Sequence, residues 1–223
     1  MLISLFAIII ILSEILLNIN VTFGFIIYAL LISGILITLS KVELKKNYDL
    51  VFLLILPIAR ISSLFITSLT WQPITFYLVI FFLTSFYLFN LNINPGFTKK
   101  NIFLFPFVII LFSLVGFLGN IFFVYKNQGI IFLVFLIAYS EEVLFRGLLQ
   151  NFITKEQGAF FSIIIVSLLF AAAGMGFGIF GALFLFFASI LLGITYHYTK
   201  NLFLAILGNA IITIFTLLPS SFS

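Results

Sequence analysis

The sequence predicts an all-α membrane protein, a polytopic bundle of eight to nine transmembrane helices. Of its 223 residues, 64% are hydrophobic and only 7% are charged, and the mean hydropathy is +1.40. A soluble domain averages about 45–50% apolar and about 25% charged residues. The chain therefore lacks the polar groups needed to cover a water-facing surface. It contains no cysteine, which excludes a disulfide scaffold.

The individual helices follow from the lengths of the apolar runs. A spanning helix needs about 20 apolar residues, and continuous runs favour helices over the alternating strands of a barrel. Only Asn18, Ile19 and Asn20 separate the first two runs, so a re-entrant pair is an alternative to two full spans there. We treat residues 1–223 as one integral membrane domain. Nine segments qualify: 2–19, 21–39, 50–69, 74–90, 102–124, 130–150, 159–177, 179–198 and 202–218.

The lysines predict the orientation of these helices. With nine spans and a cytoplasmic N-terminus, every loop lysine except Lys126 lies on the cytoplasmic side, as the positive-inside rule requires. We therefore predict an integral protein of the plasma membrane whose basic residues contact lipid headgroups. No basic surface remains for nucleic acid, so none is expected as a partner. The loop lysines are Lys41, Lys45, Lys46, Lys99, Lys100, Lys126, Lys155 and Lys200.

Ionisable residues inside the predicted spans are the candidates for function, because each costs at least about 2.5–3.5 kcal/mol to insert. Glu142 and Arg146 are spaced i, i+4 and are expected to pair. Glu141 points about 100° away around the helix axis, toward another part of the bundle, and is suited to act as a general base or proton carrier. Glu14 and Arg60 are expected to pair with each other.

The motif Glu141-Glu142-x-x-x-Arg146-Gly147, followed by an apolar span that reaches Phe170, resembles the CPBP family of intramembrane proteases. This family includes CAAX prenyl proteases and bacteriocin-processing or immunity proteins. The likeness runs from about residue 130 to 215. The resemblance implies a CPBP-like core at 130–215 and a glutamate-dependent peptidase, in which Glu141 acts with a histidine to activate water.

The chain departs from the family at both motif histidines. Phe170 matches the phenylalanine of the FxxxH motif, but Gly174 stands at the histidine position. The second motif aligns with Asn209 and Thr213 and also lacks its histidine. The single histidine of the chain, His197, matches neither motif and is expected to contact lipid headgroups. Without cysteine or motif histidines, neither a metal nor another cofactor is expected.

The remaining candidate site combines the motif residues with a pair of donors. Asn209 and Thr213 are spaced i, i+4 on one helix face, where the amide and the hydroxyl could form an oxyanion hole. The run of small residues 171–178 is interpreted as a helix-packing surface. The candidate site residues are Glu141, Glu142, Arg146, Asn209 and Thr213.

Three functions are compatible with these residues. The loss of both histidines favours a pseudoprotease, a non-catalytic or weakly active module that binds or assembles a membrane-protein partner. The alternative is an active intramembrane endopeptidase, with Glu141 as base, acting on a membrane-proximal peptide substrate. A proton-coupled transporter also uses intramembrane carboxylates, but the sequence shows no inverted repeat.

Overall fold

The computed structural model describes residues 2–41, 54–55, 57–58, 78–85, 104–120 and 134–217. Within these ranges the regular structure is entirely helical, which confirms the all-α class. The short ranges at 54–58 and 78–85 are helical and fall inside the predicted segments 50–69 and 74–90. The longer elements are α1 (Leu2–Ile19), α2 (Val21–Lys41), α3 (Phe105–Asn120), α4 (Val134–Glu142), a π-helix (Val143–Gln150), α5 (Asn151–Gln157), α6 (Ala159–Ala173), a 3₁₀ turn (Met175–Phe177), α7 (Gly178–Thr199) and α8 (Leu202–Leu217).

One helix in the described part of the chain, α7, is both long and apolar enough to cross a membrane. Five other helices contribute shorter apolar stretches of 10–17 residues. The number of spans therefore stays a prediction. These stretches lie within α1, α2, α3, α6 and α8.

Helices α1 and α2 form an antiparallel hairpin. The Asn20 side-chain oxygen accepts hydrogen bonds from the backbone N–H groups of Thr22 (3.0 Å) and Phe23 (3.3 Å), so Asn20 caps the start of α2. A Cβ atom at Gly24 would come within 2.5 Å of Leu17 Cγ, so only glycine permits this close approach. The predicted break at Asn18–Asn20 is thus a turn between two packed helices.

The predicted segment 130–150 lies within a longer helical stretch. Helices α4, π and α5 follow one another from Val134 to Gln157, and Gly158, at φ +85°, ends the stretch. The two glutamates of the motif close α4, and Arg146 lies in the π-helix that follows. Wide π-turns inside helices often occur at functional sites.

The predicted segment 159–177 is shorter than expected, because α6 ends at Ala173. The Gly174 N–H donates to the carbonyl oxygens of Phe170 (3.2 Å) and Ala171 (3.0 Å), which turns the chain into the 3₁₀ segment before α7. The small residues there form the end of a helix and a turn rather than a continuous packing face. This corrects the interpretation of the whole run 171–178 as a helix surface.

Helices α3 and α8 pack in parallel through glycines. A Cβ atom at Gly208 would lie 2.6 Å from the Phe112 ring, and one at Gly116 would lie 2.7 Å from Phe215 and 3.1 Å from the Ile212 backbone. The later residue on α3 contacts the later residues on α8, so α3 and α8 run parallel. This packing helps fix α8, which carries Asn209.

Candidate functional site

The Glu142–Arg146 pair lies at the start of the π-helix. Arg146 Nη1 is 3.0 Å from Glu142 Oε1, and both side chains are fully buried. The predicted i, i+4 pairing is therefore present. Because both charges are removed from solvent, each depends on the other and on nearby dipoles for stabilisation.

Asn209 joins the two glutamates of the motif. Its amide nitrogen donates to Glu141 Oε2 at 2.9 Å and to Glu142 Oε1 at 3.0 Å. The candidate grouping of Glu141 with Asn209 is therefore present, but the expectation that the two glutamates face separate parts of the bundle is wrong, because Glu142 shares the same amide. The two side chains leave α4 in different directions, but both are long enough to flank α8, where one amide group reaches both carboxylates.

Thr213 lies one turn beyond Asn209 on α8. Its hydroxyl donates to the Asn209 backbone carbonyl at 2.9 Å and lies 3.5 Å from the Asn209 side-chain oxygen. The predicted common helix face is therefore present. In this arrangement both amide hydrogens of Asn209 are directed at carboxylates, and the Thr213 hydroxyl is directed at its own helix.

Arg146 is held by two further helices. Its Nη2 donates to the Ser189 hydroxyl at 2.8 Å and to the Ser189 backbone carbonyl at 3.1 Å. Its guanidinium carbon lies 5.0 Å from the centre of the Phe170 ring, a distance at which cations and aromatic rings attract. The sequence analysis did not identify Ser189 as a site residue. The only indication in the sequence is that a polar residue stands inside an apolar span.

A ladder of polar contacts continues beyond Arg146, along the π-helix and into the first residue of α5. The Gln150 amide donates to the Gly193 carbonyl at 2.9 Å, and the Asn151 amide donates to the Tyr196 hydroxyl at 2.6 Å. Together with the Arg146–Ser189 contact, these pairs show that residue numbers increase in the same direction along this stretch of helix and along α7. The π-helix and α7 therefore run parallel, joined by side chains that donate to α7.

The motif histidine positions are occupied differently from those of the family. A Cβ atom built at Gly174 would overlap the Leu185 side chain, so Leu185 fills the space next to this position. His197 lies two helical turns beyond Ser189 on α7, and its Nδ1 is 3.3 Å from Lys200 Nζ. It is only partly buried.

Two other predicted features lie outside this cluster. Glu14 is fully buried and accepts a hydrogen bond from the Tyr28 hydroxyl at 2.6 Å. Its predicted partner, Arg60, lies outside the described residues. Within the part of the chain that the structure describes, no three His, Cys, Asp or Glu side chains are grouped closely enough to hold a metal ion.

The geometry thus defines a buried glutamate–asparagine–arginine cluster in an all-α bundle. Residues 127–215 match the family model "Type II CAAX prenyl endopeptidase Rce1-like". This match confirms the resemblance indicated by the EExxxR motif and includes every candidate site residue, so the chain is similar to this family over residues 127–215. No curated protein and no solved structure matches the chain.

Proposed function

We propose that this protein is a non-catalytic Rce1-like membrane module, in which the former peptidase site braces the bundle and a membrane-proximal peptide or protein is bound but not cleaved. The observation that carries the proposal is the double hydrogen bond of Asn209 to Glu141 and Glu142. An oxyanion hole needs donors that point at the position of the oxyanion. Here both amide hydrogens are already engaged.

The position of the missing histidine gives a second argument. A general base beside Glu141 would contribute about 10²–10⁴-fold to the rate, and Gly174 supplies no such group. Leu185 packs against this position, so its environment is apolar. The same cluster is well suited to bracing, because it connects α4, the π-helix, α7 and α8 through Glu142, Arg146, Ser189 and Asn209.

The alternative is an active endopeptidase that uses Glu141 as base. It is favoured by one observation: Glu141 is partly exposed, whereas Glu142 is fully buried. Glu141 is therefore the carboxylate that a substrate and an attacking water molecule could reach from outside the bundle. On this alternative, a bound substrate would have to draw Asn209 away from the carboxylates before its amide could stabilise an oxyanion.

One experiment separates the two functions. The purified protein is reconstituted in liposomes with a farnesylated CAAX peptide that carries a photo-crosslinker, and the Glu141→Gln variant serves as the matched control. We expect saturable crosslinking to both proteins and no cleavage above that of protein-free liposomes. A cleavage product that is lost in Glu141→Gln would overturn the proposal and support the endopeptidase. Absence of both crosslinking and cleavage would refute binding of this peptide class.

We further propose that the protein is an integral membrane protein with eight to nine spans and a cytoplasmic N-terminus. The proposal is supported by α7, by the distribution of the loop lysines and by the parallel direction of two helix pairs. In an up-and-down bundle, helices separated by an odd number of spans run parallel. The predicted fifth and ninth spans (102–124 and 202–218) correspond to α3 and α8, and the sixth and eighth (130–150 and 179–198) contain the π-helix and α7. Both pairs run parallel in the structure, as this topology requires.

A further inference from the structure

Five buried polar side-chain atoms have no hydrogen-bond partner among the described residues. One of them, Arg146 Nη1, lies 3.0 Å from Glu142 Oε1 in the ion pair. The other four are Glu142 Oε2, Arg146 Nε, Gln150 Oε1 and Ser167 Oγ. The four side chains are at most 2% exposed. Buried polar groups in native proteins are almost always hydrogen-bonded, and inside a membrane no bulk water reaches them. A group of four such atoms therefore indicates a ligand that supplies their hydrogen bonds.

Three of these residues, Arg146, Gln150 and Ser167, lie along one seam, defined here as the contact line between the π-helix, α6 and α7. Glu142 joins the end of this seam through its ion pair with Arg146. Arg146 marks one level, where it contacts Phe170 of α6 and Ser189 of α7. Gln150 marks the next level, where it donates to Gly193 of α7.

Ser167 lies between these two levels. Both the Gln150 side-chain oxygen and Ile163 Cγ2 lie 3.2 Å from the position that a Gly193 Cβ atom would take, which places Ile163 at the level of Gln150. Ser167 follows Ile163 by one helical turn, and Phe170, at the level of Arg146, follows Ser167 by three residues. The buried Ser167 side chain therefore faces the part of the seam between Gln150 and Arg146.

The chemistry of the four atoms identifies the ligand. Arg146 Nε offers a hydrogen, Glu142 Oε2 and Gln150 Oε1 accept one, and the Ser167 hydroxyl can do both. A cation would be repelled by Arg146, and an anion would be repelled by Glu142. A neutral ligand that both donates and accepts is required, and water satisfies this requirement within a small volume.

We infer that the seam binds a short row of ordered water molecules, which hydrate the Glu142–Arg146 pair inside the bundle. The row extends from the ion pair to Gln150, at the far end of the π-helix. Beyond it, in α5, the Thr154 hydroxyl is already satisfied: it donates to the Gln150 carbonyl at 2.6 Å and lies 2.7 Å from the Ser162 hydroxyl. This inference does not depend on whether the protein cleaves peptides, because it concerns only how the buried pair is solvated.

The test is X-ray hydroxyl-radical labelling of the reconstituted protein, which modifies side chains adjacent to bound water. Phe170, which borders the seam, is expected to be labelled, and its labelling should fall several-fold in Ser167→Ala. Ser13→Ala is the matched control, because Ser13 is equally buried and its hydroxyl donates to the Ile9 carbonyl within its own helix. Phe170 labelling that is undetectable, or that is the same in both variants and the parent protein, would overturn the inference.

Thermal unfolding gives an independent measurement on the same variant. If water satisfies the Ser167 hydroxyl, Ser167→Ala loses a hydrogen bond and lowers the melting temperature. If the hydroxyl is truly unsatisfied, its removal relieves a desolvation penalty and raises the melting temperature. A higher melting temperature for Ser167→Ala would therefore also overturn the inference.

Discussion

The amide nitrogen of Asn209 lies 3.0 Å from Oε1 of Glu142, although the two residues are 67 positions apart in the sequence. Arg146 Nη1 also lies 3.0 Å from Glu142 Oε1, in the buried ion pair. One carboxylate oxygen therefore connects the π-helix to α8. Because the same Asn209 nitrogen also reaches Glu141, this amide is central to the cluster, and its removal is the most direct perturbation of the cluster.

We expect Asn209→Leu to destabilise the fold strongly. The change keeps the approximate volume but leaves two neighbouring carboxylates without their shared donor. Each hydrogen bond to a charged group contributes about 1.5–3 kcal/mol. Thr213→Val is the control, since its hydroxyl bonds to its own helix and its loss should cost about 0.5–1.5 kcal/mol. Equal effects of the two substitutions on unfolding in detergent would contradict the bridging role of Asn209.

Breaking the buried ion pair should cost more than replacing it. Arg146→Met leaves the fully buried Glu142 without its cation, and such a loss typically costs about 3–5 kcal/mol. The double variant Arg146→Met with Glu142→Gln removes both charges and should recover much of this stability. The measurement is the melting temperature of the three variants in the same detergent. A double variant no more stable than Arg146→Met would show that the charge pairing is not the cause.

Restoring the family's first histidine should be unfavourable in this chain. Gly174→His places a ring where Leu185 packs, and overpacking typically costs about 1–3 kcal/mol. Leu185→Ala creates space, so Gly174→His with Leu185→Ala should be more stable than Gly174→His alone. The comparison needs only thermal unfolding. If Gly174→His alone leaves the melting temperature unchanged, Leu185 does not occupy this position.

The glycine contact between α3 and α8 should be sensitive to a single methyl group. Gly208→Ala brings a Cβ atom to 2.6 Å from the Phe112 ring, so one helix must shift, at a cost of about 1–3 kcal/mol. Gly34→Ala is the matched control, because its Cβ atom would meet only Phe6, at 4.0 Å. The control should be neutral or stabilising, since alanine favours helices over glycine by about 1 kcal/mol. Similar melting temperatures for both variants would contradict the α3–α8 packing.

The predicted orientation can be tested with single cysteines, because the natural chain has none. Lys155→Cys and Lys200→Cys should react with a membrane-impermeant thiol reagent only from the cytoplasmic side. Lys126→Cys should react only from the opposite side. Labelling of whole cells and of inverted vesicles distinguishes these results. Reaction of all three from one side would contradict the nine-span topology.

Local sequence features were sufficient for the fold class and for one contact of the site. Continuous apolar runs predicted helices in the positions where α1, α2, α3, α6, α7 and α8 occur. The Glu142–Arg146 pair followed from i, i+4 spacing, since both partners lie on one stretch of helix. The short break at Asn20 was also visible, because a capping asparagine is a local signal.

Contacts between helices were not predictable in the same way. Helices that are apolar on all sides carry no stripe that identifies which face meets which neighbour. The sharing of the Asn209 amide by Glu142, the anchoring of Arg146 by Ser189 and the filling of the Gly174 position by Leu185 all depend on that choice.

The sequence by itself determined an all-α chain rich enough in apolar residues for a membrane, with an EExxxR motif whose second glutamate pairs with the arginine. Only the tertiary structure decided that one asparagine joins both glutamates and that a polar ladder fixes the π-helix to α7. The physical reason is the range of the interactions. Helix formation and i, i+4 pairing depend on neighbours along the chain, whereas the amide and carboxylate groups meet only after the apolar helix faces have packed.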